Sequence, residues 1–123
     1  MRPTDYTTDE LREALRPIAS LIGKSEKAHR KLAPGTWQHT MLRDNLKALR
    51  IASVLMTKAA ADPAGVAPSD LQEALRAIDS MIGRAEKAQA KFAPGTSHHA
   101  LQRNRLQALR IAEALTKAEL SKR

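Results

Sequence analysis

From Leu11 onward, apolar residues return at alternating steps of four and three: Leu11, Leu15, Ile18 and Ile22, continued by Ser25, His29 and Leu32. Sixty positions later the row recurs as Leu71, Leu75, Ile78, Ile82, Ala85, Gln89 and Phe92. This period lines up each row along one face of a helix of about six turns. Pro34-Gly35 and Pro94-Gly95 end these helices. A second row follows each break: Met41, Leu46, Ala48, Leu49, Ala52 and Leu55, matched by Leu101, Leu106, Ala108, Leu109, Ala112 and Leu115. Thr36 and Thr96 stand where an N-cap hydroxyl accepts from the first amides of the next helix. Thr7-Thr8-Asp9-Glu10 and Ser69-Asp70-Leu71-Gln72 carry the chemistry of a capping box for the first helix of each half. Each half of the chain therefore reads as a helical hairpin.

The two hairpins are one unit written twice. Between positions 10 and 57, 26 of 48 residues are identical to the residue sixty positions on. The segment from Ala59 to Pro68 is a small-residue, Pro/Gly-containing linker. This gives repeat 1 over about 8–58, the linker over 59–68 and repeat 2 over about 69–118, within one domain of 123 residues. A lone hairpin buries too little surface to be stable by itself. The expected fold is all-α, an up-down four-helix bundle built from two tandemly duplicated hairpins. Its rival is a homo-oligomer in which one hairpin packs on another chain. Pro17 removes a hydrogen bond inside the first helix and should kink it. Gly23 and Gly83, mid-helix in both copies, are expected to mark close helix–helix contact, the alternative being a hinge or a close ligand approach.

Composition narrows the class. Cysteine is absent, so disulfides, thiol catalysis and Cys-based zinc sites are excluded. No apolar run approaches the ~20 residues of a membrane helix, so no membrane partner is expected. The first ten residues lack the apolar region of a signal peptide, and a cytoplasmic protein is expected. No Ser-His-Asp or paired-carboxylate constellation and no glycine-rich phosphate loop is present, so the expectation is a non-enzyme without a cofactor.

The formal net charge is +8, and it is concentrated. Residues 24–50 hold seven Lys or Arg against two carboxylates, and 84–110 hold six against one. Helical geometry sets His39, Arg43, Lys47 and Arg50 on one stripe, and His99, Arg103, Gln107 and Arg110 on its counterpart. Lys24, Lys27 and Lys31 lie opposite the apolar seam, as do Arg84, Lys87 and Lys91. In an up-down bundle both Pro-Gly-Thr turns come to one end, giving a basic pole where helix N-termini also favour anions. The candidate anion- or nucleic-acid-binding residues are Lys27, Lys31, Thr36, His39, Arg43 and Arg50, with Lys87, Lys91, Thr96, His99, Arg103 and Arg110. Against this stands a surface whose charge serves only solubility.

Within Thr36-x-x-His39 and Thr96-x-x-His99 the histidine holds the N3 position, where it replaces the usual Glu or Gln of a capping box. The sharper reading is an anion held by the helix N-terminus, His39 and Arg43, and again by His99 and Arg103. Metal binding is not expected, because no acidic residue completes a shell in either segment. His29 reads as a polar residue of the seam, and Trp37 as a cover over the turn, the alternative being a stacking surface beside the lysines.

The stretch from Lys91-Phe92-Ala93-Pro94-Gly95-Thr96-Ser97-His98-His99 into Asn104-Arg105-Leu106-Gln107-Ala108-Leu109, with Glu86-Lys87 before it, resembles a group of small bacterial proteins. Their pattern is Glu-Lys, Lys-Phe-x-x-Gly-Thr-Ser-x-His-x-Leu and Asn-Arg-x-x-Ala-Leu. The first copy departs from it at Trp37 and at Asp44-Asn45. The resemblance implies no activity. The sequence thus points to a binding module whose basic pole meets nucleic acid or another phosphate-bearing or acidic partner. The alternative is a structural or regulatory protein acting through helix-mediated assembly.

Overall fold

The computed structural model describes residues 6–57 and 66–122. Four helices follow in order: α1 (Thr8–Lys31), α2 (Trp37–Met56), α3 (Pro68–Ala90) and α4 (Ser97–Ser121). The chain is an all-α helical bundle of two hairpins. Helix α1 packs on α2, α2 on α3, α3 on α4 and α4 back on α1. Helices α2 and α4 also touch across the centre, whereas α1 and α3 occupy opposite corners.

The inner helices can approach because their facing positions are small. Ala48, Ala52, Ala108 and Ala112 are almost wholly enclosed beside Leu49 and Leu109. The outer helices contribute Leu11, Ala14 and Ile18, and sixty residues on Leu71, Ala74 and Ile78, all buried. Leu15 and Ile22 of the expected seam are partly buried and pack against this core. Burying one such aliphatic side chain contributes about 1.5–3 kcal/mol, so these paired layers hold the hairpins together.

Local signals set the helix ends. At α1, Thr7 Oγ1 accepts from the Glu10 amide at 3.1 Å while Glu10 Oε1 accepts from the Thr7 amide at 3.1 Å. Helix α3 begins differently from the expectation: its N-cap is Ala67, without a side-chain cap, and Pro68 opens the first turn. Proline has the φ of a first helical residue and no N–H to leave unpaired there. Ser69 therefore lies inside the helix and does not cap it. Residues 59–65 of the expected linker, with Lys58 before them, lie outside the described residues, but Val66 packs against the core.

One further expectation is corrected. A Cβ built on Gly23 or Gly83 meets nothing within 4 Å, so neither glycine serves a close helix contact. Gly35 and Gly95 do have a backbone reason, with φ of +91° and +89° in the two turns. Helix α1 runs through Pro17 without interruption. Among the described residues no helix is long and apolar enough to cross a membrane.

Candidate anion-binding surface and groove

The two turns are built alike. Thr36 Oγ1 donates to the Ala33 carbonyl at 3.0 Å and accepts from the His39 amide at 3.2 Å. Thr96 donates to Ala93 at 2.8 Å and accepts from His99 at 3.2 Å. The histidine side chains do not complete a capping box. The Thr36 amide is directed to the Ala33 carbonyl, and the His39 ring stacks on His29 with centroids 4.0 Å apart. His29 is thus more than a polar seam residue; its Nε2 is enclosed without a hydrogen-bond partner. In the second hairpin Gln89 takes the place of His29, and the ring stack there joins His98 to Phe92 at 5.0 Å. Among the described residues no cluster of three His, Asp or Glu side chains could hold a metal.

The basic stripes of α2 and α4 are partly neutralised, because acidic residues reach them from neighbouring helices. Arg50 Nη2 lies 3.4 Å from Glu26 of α1, and Arg110 Nη2 lies 3.6 Å from Glu86 of α3. Arg43 Nη2 is 3.5 Å from Asp44. Lys47 Nζ lies 2.7 Å from Asp70 and 3.8 Å from Glu73. The hydrogen bond to Asp70, and then the charge of that carboxylate, raise the Lys47 pKa above 10.5. Exposed pairs of this kind contribute little to stability, but they lower the field that a ligand would meet.

Other cations have no such partner. Lys27, Lys31, Lys87, Lys91 and Arg103 are exposed and make no ion pair among the described residues. Lys27 and Lys31 stand on the last turns of α1, and Lys87 and Lys91 at the end of α3. Trp37 does not cover its turn: 70% of its surface is exposed. It borders a groove between α2 and α3 with Met41 and Arg76.

A groove of about 680 Å³ lies where α1, α2 and the start of α3 meet. Leu46, Ile51, Val54 and Val66 give it apolar walls, and Arg30, Arg43, Lys47 and Arg50 face Glu26 and Asp70 around it, with His29 alongside. A groove of about 440 Å³ lies at the corresponding place on the second hairpin, lined by Tyr6, Glu10, Gln89, Arg103, Leu106, Gln107, Arg110 and Ile111. Each of these residues is sixty positions from one that lines the first groove. No protein-family model matches the chain, and comparison with curated proteins and with solved structures finds no match.

Of the expected site residues, the structure brings Arg43 and Arg50 together in the first groove. Arg103 and Arg110 share the second, and His99 and Arg110 border its extension past Phe92 and Pro94. Lys27, Lys31, Lys87 and Lys91 line neither. Sequence reasoning missed Arg30, Val66 and Asp70 as groove residues. Val66 falls in the small-residue linker, and Asp70 has the look of a helix start and nothing more. The repeat offered a signal, because Tyr6 and Glu10 stand at the matching positions, just before α1 and in its first turn.

Proposed function

We propose that this chain is a non-catalytic binding module that meets a polyanion, with nucleic acid as the leading partner, through the unpaired cations at the hairpin ends. The observation that carries this reading is the division of labour among the charges. The carboxylates beside the basic stripes pair with Arg43, Lys47, Arg50 and Arg110, while Lys27, Lys31, Lys87 and Lys91 are exposed and make no ion pair among the described residues. Cations held that way displace condensed counterions from a phosphate backbone without first breaking an internal pair. The exposed Trp37 adds an aromatic surface beside one of these turns.

The test is a mobility assay with short single- and double-stranded DNA and RNA. Replacing Lys27, Lys31, Lys87 and Lys91 singly by Gln should weaken binding and reduce the salt slope by about 0.7–0.9 for each phosphate that is no longer neutralised. A second reading, self-assembly, draws on the exposed apolar surface of Trp37 and Leu101. It predicts a concentration-dependent size that the lysine substitutions leave unchanged and that Leu101→Gln reduces. That outcome, without nucleic-acid binding, replaces the first reading.

A further inference from the structure

The two grooves are related by the repeat but have diverged at particular positions. Where the first has His29, Arg30 and Lys47, the second has Gln89, Ala90 and Gln107. Leu46, Arg43, Arg50 and Ile51 are identical in the second copy, as Leu106, Arg103, Arg110 and Ile111. The framework is therefore shared, and the difference is added positive charge in the first groove. The remaining difference concerns what fills each groove. Tyr6 lines the second and packs against the core that includes Leu106 and Ile111. At the matching position the first groove has Val66, which is smaller and carries no ring. The matching space on the second hairpin is divided, about 440 Å³ beside Tyr6 and about 530 Å³ past Ala90 and Phe92, where the first hairpin has one groove of about 680 Å³.

We infer that the groove between α1, α2 and the start of α3 binds a small aromatic anion, a ring bearing a carboxylate or phosphate. The ring takes the place against Leu46, Ile51 and Val66 that Tyr6 occupies in the other hairpin. The anionic group meets Arg30 and Arg43 at the wall, where four cations face two carboxylates. The volume suits a small molecule, and apolar walls with a few charged groups are the usual make-up of such a site. This site is separate from the polyanion surface, since Lys27, Lys31, Lys87 and Lys91 do not line it.

Methyl NMR on the full chain tests the inference, with phenyl phosphate and phenylacetate as probes and inorganic phosphate and benzyl alcohol as half-probes. At least one ring-bearing anion should shift the Ile51, Val54 and Val66 methyls saturably, about tenfold tighter than either half-probe. Val66→Tyr should place a ring in the first groove and weaken the probe about tenfold or more, with helix content by circular dichroism unchanged. Arg30→Gln, at an exposed residue without an ion pair, should weaken the anions and leave benzyl alcohol unaffected, so the inference remains testable if Val66→Tyr does not fold. It is overturned if neither anion shifts these methyls, if inorganic phosphate binds as well as phenyl phosphate, or if a folded Val66→Tyr binds unchanged. Because the four lysines are untouched, nucleic-acid binding would persist through that failure.

Discussion

Lys47 Nζ lies 2.7 Å from Asp70 Oδ1 and so ties α2 of the first hairpin to the start of α3 in the second. The matching positions on the other side are Gln107 and Glu10, where the lysine charge is missing. The hairpins are thus joined by this ion pair at one of their two equivalent contacts. Asp70 and Glu73 raise the Lys47 pKa above 10.5. A raised lysine contributes stability below its unfolded pKa, and that contribution is lost as pH rises through the folded value. Lys47→Gln should therefore lower the urea midpoint slightly at neutral pH. Wild type and variant should converge once pH passes the raised Lys47 value, as paired urea titrations would show.

A second pH dependence, at the acid end, is expected from Glu113. The Asp79 carboxyl bonded to it, and then burial, raise its pKa above 4.5, against the lowering charges of Lys117 and Arg110. The first hairpin has Ala19 and Ser53 at the matching positions, so this acid pair belongs to the second alone. A carboxyl raised in the folded state stabilises most below its unfolded pKa and loses that contribution as pH rises through the folded one. Glu113→Gln should unfold at higher urea than wild type at neutral pH, with the gain shrinking as pH falls toward that of a free glutamate.

The four glycines among the described residues divide into two pairs. Gly23→Ala and Gly83→Ala place a methyl in open space within a helix and should each stabilise by about 1 kcal/mol. Gly35→Ala and Gly95→Ala force an L side chain into left-handed backbone and should each destabilise by about 1 kcal/mol or more. Chemical denaturation of the four variants distinguishes the pairs by sign.

Thr36 and Thr96 each satisfy one free amide at a helix start. Replacing either by Ala should cost about 1 kcal/mol, measurable by urea denaturation. A Ser replacement keeps the acceptor oxygen and should retain most of the stability.

Features set by local chemistry are legible in the chain. The rows beginning at Leu11 and Leu71 face the core over their first turns, although Phe92 at the end of the second is exposed, and Thr36 and Thr96 cap α2 and α4. Where the pattern falls short, a distant segment decides the outcome. Asp70 looks like part of a helix start until α2 brings Lys47 beside it, and His29 looks like a polar gap in a seam until His39 returns across the turn. The direction of Trp37 depends on how α3 passes α2, which periodicity does not encode. Gly23 and Gly83 suggest close contacts because the helical penalty asks for a packing reason, and the open space around them supplies none.

The central claim, a polyanion-binding surface at the hairpin ends, is most directly tested by titrating Trp37 fluorescence with short DNA and RNA from low to near-physiological salt, with heparin as the control polyanion. The expected result is a saturable change that persists at near-physiological salt, favours nucleic acid over heparin and weakens when Lys27 and Lys31 are replaced by Gln. A change that heparin reproduces and salt abolishes, or no change together with unaltered mobility, would contradict it.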